Sequence, residues 1–225
     1  MCIRDSQFTG RSGTFFGYEG LGSIYWHMVS KLVLAVSENF FWAIENGSDQ
    51  ATIDSLAKHF DAIRLGVGAE KHPVQYGAFP TDPYSHTPEN AGVKQPGMTG
   101  QVKEDILSRF AELGVQIKNS TLSFGLDLFD RDELLESEGE FTYCNVAGEF
   151  KKEPVPKKGF AYTLFQVPII YQPGDSDLIN VTLTDGSEVK FEGTSIDQAT
   201  SEKLFSRVGE VVKISCRFKC LNQGA

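Results

Sequence analysis

The sequence predicts an α+β protein in which a helical part precedes a part made of antiparallel β-strands. Up to Gly114, apolar residues recur with the 3.6-residue period of helices, and beyond it they alternate with the period of strands. Asp185-Gly186, between two alternating runs, is a strong hairpin signal. We therefore expect a helical domain over residues 7–114 and an antiparallel β-rich domain, similar to a β-sandwich, over residues 115–225.

The first predicted helix covers residues 23–45, with Ser23 as its N-cap and Asn46-Gly47 as its C-cap. Most sides of this helix are apolar, which predicts that it is buried among other helices. Its main stripe consists of Ile24, Met28, Leu32, Ala35, Val36, Phe40 and Ala43.

Two further helices are predicted, over residues 52–64 and 100–113, and the second of them ends at Gly114. Between them, residues 66–98 form a long loop that holds five of the nine prolines. Its aromatic residues argue against disorder, so we expect this loop to be ordered and functional. The third helix is predicted to turn Val102, Ile106, Phe110 and Leu113 to one side and Gln101, Lys103, Asp105 and Glu112 to the other.

The β-rich part shows seven alternating runs and one short helix, over residues 197–206. Pro168 interrupts one run and predicts an edge strand or a bulge there. Asp127 and the acidic residues that follow it, up to Glu140, are expected to form a solvated loop or a short helix. The predicted strands cover residues 115–118, 121–125, 140–146, 161–171, 177–183, 188–192 and 211–218.

Composition excludes several classes of function. The net charge of −9 argues against nucleic-acid binding, which needs clustered Lys and Arg. No apolar stretch approaches the roughly 20 residues of a membrane span, and no signal peptide is evident, so we expect a cytoplasmic protein. The cysteines form no C-x-x-C pair, so neither a metal site nor a resident cofactor is predicted.

Three segments of the helical part could bind a ligand. The first, residues 17–27, is rich in glycine and carries Glu19, Tyr25 and His27, although a lone His beside aromatic residues is often part of a core. The second is the stiff loop core with Asp82, Tyr84 and His86, which suits sugar recognition but could equally be a rigid structural plug.

The third segment, residues 95–101, begins with Gln95 and delivers Thr99 and Gly100 to the start of the third helix. The first N–H groups of a helix lack internal partners and carry the positive end of the helix dipole, so they bind anions readily. The alternative is that Thr99 serves only as an N-cap. Both roles are compatible if the backbone N–H groups bind the anion.

Together these segments resemble the C-terminal part of inverting glycoside phosphorylases of the cellobiose type. Residues 19–27 (Glu-Gly-Leu-Gly-Ser-Ile-Tyr-Trp-His) resemble the family's Glu-Asn-Gly-Gly-Gln-Tyr-Thr-His segment. Residues 99–100 match the Thr-Gly of its Trp-Tyr-Thr-Gly-Ser-Ala-Gly-Trp segment. The order and separation of the segments are also similar. Large bacterial proteins of the same general architecture are similar around residues 76–84 as well.

The resemblance implies the last helices of an incomplete (α/α)₆ barrel followed by the β-rich domain. It also implies that His27, Thr99 and Gly100 hold inorganic phosphate as a co-substrate. Glu19, Tyr25, Asp82, Tyr84, His86 and Gln95 are then expected to contact an oligosaccharide or disaccharide. Leu21 and Trp26 stand where the family has Gly and Thr, which leaves hydrolysis open beside phosphorolysis.

The sequence is expected to be the C-terminal fragment of a longer enzyme. Residues 1–6 (Met-Cys-Ile-Arg-Asp-Ser) resemble translated sequencing adapter from assembled environmental reads. The family's general acid lies upstream of the motifs described above, so the fragment is expected to be inactive without the missing N-terminal part of the chain. The alternative is a non-catalytic carbohydrate-binding or structural module.

Overall fold

The computed structural model describes residues 15–16, 21–67, 87–88 and 102–222. These residues form a mixed α+β protein, as the sequence predicted, and no barrel closes within the described ranges. The chain separates into two compact units, Met1–Arg109 and Phe110–Ala225.

The first unit is built on a helical hairpin. Helix α1 (Leu21–Glu45) and helix α2 (Gln50–Val67) pack on each other across a short connection. Gly47, at φ 66°, ends α1 where a C-cap was predicted, because a left-handed conformation costs glycine little. The Asp49 carboxylate accepts a hydrogen bond from the backbone N–H of Thr52 at 2.9 Å and so caps α2.

Helix α1 carries two apolar stripes, and only one of them is covered. Ser30, Val33, Ser37, Phe40 and Ala43 are buried at the spacing of a packed helical seam. A second stripe is exposed, with Met28 at 64%, Leu32 at 50% and Trp42 at 61% of full exposure. This helix therefore has a further apolar face available for packing.

Helix α3 (Val102–Glu112) faces the way the sequence predicted only in part, because Phe110 and Leu113 pack inward as expected but other positions do not. Ile106 and Leu107 are exposed, whereas Glu104 and Glu112 are buried. The side chain of Glu104 lies inward because it forms an ion pair with Lys31 of α1. The first unit also contains a short antiparallel ladder between β1 (Phe15–Phe16) and β2 (Thr87–Pro88).

The second unit is organised around a five-stranded mixed sheet. The strand order is β10-β9-β11-β8-β7, and β11 runs parallel to β8 while the other pairs are antiparallel. The expectation of a wholly antiparallel domain is therefore wrong for this pair. The sheet strands are β7 (Phe160–Leu164), β8 (Val167–Pro173), β9 (Leu178–Leu183), β10 (Glu188–Glu192) and β11 (Val211–Phe218).

Two antiparallel ladders and one helix complete this unit. Ser201 of the helix is fully buried, and its hydroxyl accepts a hydrogen bond from the N–H of Leu122 at 3.0 Å, which ties the helix to β4. The elements are β3 (Val115–Lys118) paired with β4 (Thr121–Phe124), β5 (Gly139–Cys144) paired with β6 (Phe150–Val155), and α4 (Gln198–Ser206).

The sequence prediction missed strand β6 (Phe150–Val155), which pairs with β5, and it did not separate β7 from β8. The run predicted over residues 161–171 is split into β7 and β8 by a tight turn at Phe165 and Gln166, whose φ angles are 52° and 67°. Pro168 lies in β8, which is an inner strand rather than an edge. Its missing N–H is tolerated because the ladder between β8 and β11 begins only at Ile169.

Candidate functional site

The structure describes only the backbone of the glycine-rich segment's last residues. Helix α1 begins at Leu21, so Tyr25 and His27 lie in its first two turns. Their side chains, together with the remaining predicted site residues, lie outside the described residues. Those remaining residues are Glu19, Asp82, Tyr84, His86, Gln95, Thr99 and Gly100.

An ion pair joins α1 to the first turn of α3. The Nζ atom of Lys31 donates to Oε1 of Glu104 at 2.9 Å. The Glu104 side chain retains only 2% of its exposure, whereas that of Lys31 retains 58%. A carboxylate this deeply buried needs a compensating charge, and the lysine supplies it.

In the sequence, Lys31 follows the first, and Glu104 the third, of the segments that could bind a ligand. Lys31 follows His27 by one helical turn, about 6 Å along the axis, so the two residues share one side of α1. Glu104 is the third residue of α3, close to the unpaired N–H groups at the start of that helix. A negative charge there also interacts favourably with the helix dipole.

This arrangement brings a cationic side chain and a helix N-terminus into one region of the first unit. The N–H groups at the start of α3 can attract an anion, while the charge of Lys31 is balanced by Glu104. The buried Glu104 holds the two helices in register and keeps the lysine in place. The pair can thus position an anion site without itself taking part in covalent chemistry.

Sequence reasoning did not single out Lys31 or Glu104. The sequence does contain an indication that Lys31 has a partner. Lys31 is the only charged residue between Leu21 and Ser37, in a helix that is apolar on most sides. Such a residue is rarely buried without a partner. The partner itself could not be found by spacing, since it lies 73 residues away.

Loss of the Lys31 charge is expected to destabilise the first unit. Lys31→Met removes the charge of the lysine that pairs with the buried Glu104 carboxylate and should cost about 1–2 kcal/mol, less than a fully buried pair because the lysine is half exposed. Urea unfolding can be followed by the fluorescence of Trp26 and Trp42, both in α1.

The double variant Lys31→Met/Glu104→Gln should recover part of the loss, because both charges are then absent. Lys58→Met, at an exposed position of α2, is the matched control and should change stability by no more than about 0.5 kcal/mol. Equal effects of the substitutions at Lys31 and Lys58 would contradict the structural role of the pair.

The acidic region that begins at Asp127 forms a surface loop and a short 3-10 turn, Arg131–Glu133. Within the described residues, no group of three or more His, Cys, Asp or Glu side chains could hold a metal ion. Residues 21–67 and 102–222 also contain no helix that is both long and apolar enough to cross a membrane.

Comparison with protein-family models gives no match, and none of the curated proteins compared with this sequence matches it.

Proposed function

We propose that this chain is the C-terminal part of a carbohydrate-active enzyme that cleaves glycosidic bonds by phosphorolysis, with inorganic phosphate held between His27 and the start of α3. The observation that carries the proposal is the ion pair between Lys31 and Glu104. It links the two helices that follow the phosphate-binding segments implied by the resemblance.

Chain connectivity supports the participation of Thr99 and Gly100. Consecutive Cα atoms are 3.8 Å apart, so the Cα atom of Gly100 lies within about 7.6 Å of that of Val102, the first residue of α3. His27 lies one turn before Lys31 on the other helix. The ion pair and the short lengths of chain beside it therefore set an upper limit on the distance between His27 and Gly100.

The two apolar stripes of α1 support a helical barrel. A helix in the inner layer of such a barrel packs against its own hairpin partner and also against neighbouring helices. The exposed Met28, Leu32 and Trp42 would then be covered by further helices of the same enzyme. The β-rich unit would correspond to the small domain that follows the barrel in the family.

The chemistry follows from the position of the phosphate. A phosphate oxygen forms a bond to the anomeric carbon while the bond from that carbon to the glycosidic oxygen breaks. In this proposal, a carboxylic acid outside the present sequence donates its proton to the departing oxygen. The products are a sugar 1-phosphate and a shortened saccharide. Glu19, Tyr25, Asp82, Tyr84, His86 and Gln95 would contact the sugar.

Phosphate binding can be measured on the present chain, because every proposed phosphate ligand belongs to it. Calorimetric titration with inorganic phosphate should show binding that His27→Ala weakens by about ten- to hundredfold, the effect of losing a hydrogen bond to a charged group. His59→Ala, at an exposed position of α2, is the control and should leave the affinity unchanged.

If phosphate does not bind, or if both histidine variants bind it as tightly as the unaltered chain, phosphorolysis is wrong. Saccharide binding without phosphate binding would then indicate a hydrolase or a non-catalytic carbohydrate-binding module.

A further inference from the structure

A groove of about 880 Å³ crosses the second unit, in the size range of small-molecule sites. Its walls come from the β3–β4 hairpin, the loop after β4, the residues before α4 and the turn after β11. The polar side chains that line it include Gln116, Ser123, Asp127, Arg131, Thr194 and Ser195.

Hydrogen bonds of the backbone hold these walls together. The N–H of Phe124 donates to the carbonyl of Thr194 at 2.8 Å, which joins β4 to the segment before α4. The guanidinium of Arg131 donates through Nη1 to the carbonyl of Cys220 at 3.1 Å, which joins the loop to the turn after β11. The groove is therefore a preformed feature of the unit.

Several side chains in the groove have donors and acceptors that form no hydrogen bond with other described residues. In the described part of the chain, five of them form no hydrogen bond with another residue through their side chains. They offer an amide, three hydroxyls and a carboxylate, so donors and acceptors are both available. These residues are Gln116, Ser123, Asp127, Thr194 and Ser195.

The charges in the groove cancel. Asp127 and Asp177 carry two negative charges, and Arg131 and Lys219 carry two positive charges. A strongly charged ligand would gain little net attraction here. An apolar ligand is also disfavoured, because the phenylalanine rings behind the groove, such as Phe124, belong to the buried core and leave a largely polar surface.

We propose that this groove binds a neutral polyhydroxylated molecule, a mono- or disaccharide. Sugar hydroxyls both donate and accept, so they match the mixed set of groups that the groove presents. The carboxylate of Asp127 accepts hydrogen bonds from sugar hydroxyls, and the amide of Gln116 both donates to and accepts from a hydroxyl. The guanidinium nitrogens of Arg131 other than Nη1 donate hydrogen bonds to sugar oxygens. The site lies wholly within the second unit and does not rest on the proposed phosphate site.

The test uses the full 225-residue chain, ¹⁵N-labelled and titrated separately with glucose, galactose, cellobiose and maltose. At least one saccharide should shift the amide signals of Ser123, Asp127 and Thr194 in a saturable manner. Asp127→Ala and Gln116→Ala should each weaken that binding about tenfold or more, because each removes a hydrogen-bonding partner. Glu188→Ala, at an exposed carboxylate of β10, should leave it unchanged.

The proposal is overturned if no saccharide shifts these amides, or if Asp127→Ala and Gln116→Ala bind as tightly as Glu188→Ala. It is also overturned if an anionic probe such as citrate shifts them more than any sugar. The shifted signals belong to the second unit, so the absence of saccharide binding there would not contradict phosphate binding at His27. The absence of phosphate binding at His27 would likewise not contradict saccharide binding in the groove.

Discussion

Gly114→Ala is expected to destabilise the second unit by about 3–5 kcal/mol, enough to unfold it in many conditions. Gly114 ends α3 at φ 69°, a conformation that a residue with a Cβ atom adopts only at a cost. A Cβ atom here would also lie 1.7 Å from the carbonyl oxygen of Gly125. The backbone would have to separate, with loss of the 2.9 Å hydrogen bond from the N–H of Gly125 to the carbonyl of Gly114.

Urea unfolding of the second unit can be followed by the amide signals of Ile169 and Ile214, which are fully buried. The control is Gly148→Ala, at φ 81°, where a Cβ atom meets nothing within 4 Å. That variant bears only the conformational cost of about 1–2 kcal/mol. If the two variants are equally stable, the close approach of Gly114 to Gly125 is wrong.

Tyr171→Ala is expected to cost about 3–5 kcal/mol, the usual range for deleting a large buried aromatic side chain. Tyr171 is fully buried, and its ring contacts several aromatic rings edge to face. Its hydroxyl donates to the carbonyl of Leu113 at 2.5 Å and lies 2.9 Å from the hydroxyl of Tyr162. The variant leaves a cavity at the centre of this core.

Tyr171→Phe separates the ring from the hydroxyl. We expect a loss of about 1–2 kcal/mol at neutral pH, because the buried carbonyl of Leu113 loses its donor. The same urea titration measures both variants. A loss for Tyr171→Phe as large as that for Tyr171→Ala would show that packing of the ring contributes little.

The pH dependence of the free energy of unfolding further distinguishes the unaltered chain from Tyr171→Phe. Burial, and then the nearby phenol of Tyr162, raise the pKa of Tyr171 well above its usual value. The unfolded chain therefore releases this proton first, so stability is full below about pH 10 and falls as pH rises above it, by up to about 1.4 kcal/mol per pH unit. Tyr171→Phe should lose stability less steeply in that range.

The strands that were predicted most accurately are those whose sequence pattern depends only on adjacent residues. The bounds of β3, β10 and β11 agree with the predicted runs. In β10, partly buried residues alternate with exposed ones, as the period of two predicts. The hairpin at Asp185-Gly186 is also confirmed, with Gly186 at φ 83°. These features depend on neighbouring residues only.

Features with an unusual local sequence, and features that depend on distant residues, were missed. The turn at Phe165 and Gln166 lacks the usual Asn-Gly signature, so β7 and β8 were read as one strand. Parallel pairing of β11 with β8 depends on the intervening β9, β10 and α4. The burial of Glu104 in α3 was not predicted because Glu104 pairs with a lysine far away in the sequence. For the same reason, spacing could not reveal the ion pair beside the candidate site.

Of the predicted ligand-binding residues, Tyr25 and His27 are described only through the backbone of α1. Their roles, and those of the residues in the proline-rich loop, stay predictions. What the structure adds is the ion pair between Lys31 and Glu104, which joins α1 to α3.

The central claim is that His27 contacts inorganic phosphate, and the signals of the imidazole rings test it most directly. The chain has four histidines, and His59 on α2 is an internal control in the same spectrum. Addition of phosphate should shift the ring signals of His27 in a saturable manner while those of His59 stay in place. If the His27 signals do not move, or move no more than those of His59, phosphate is not bound there.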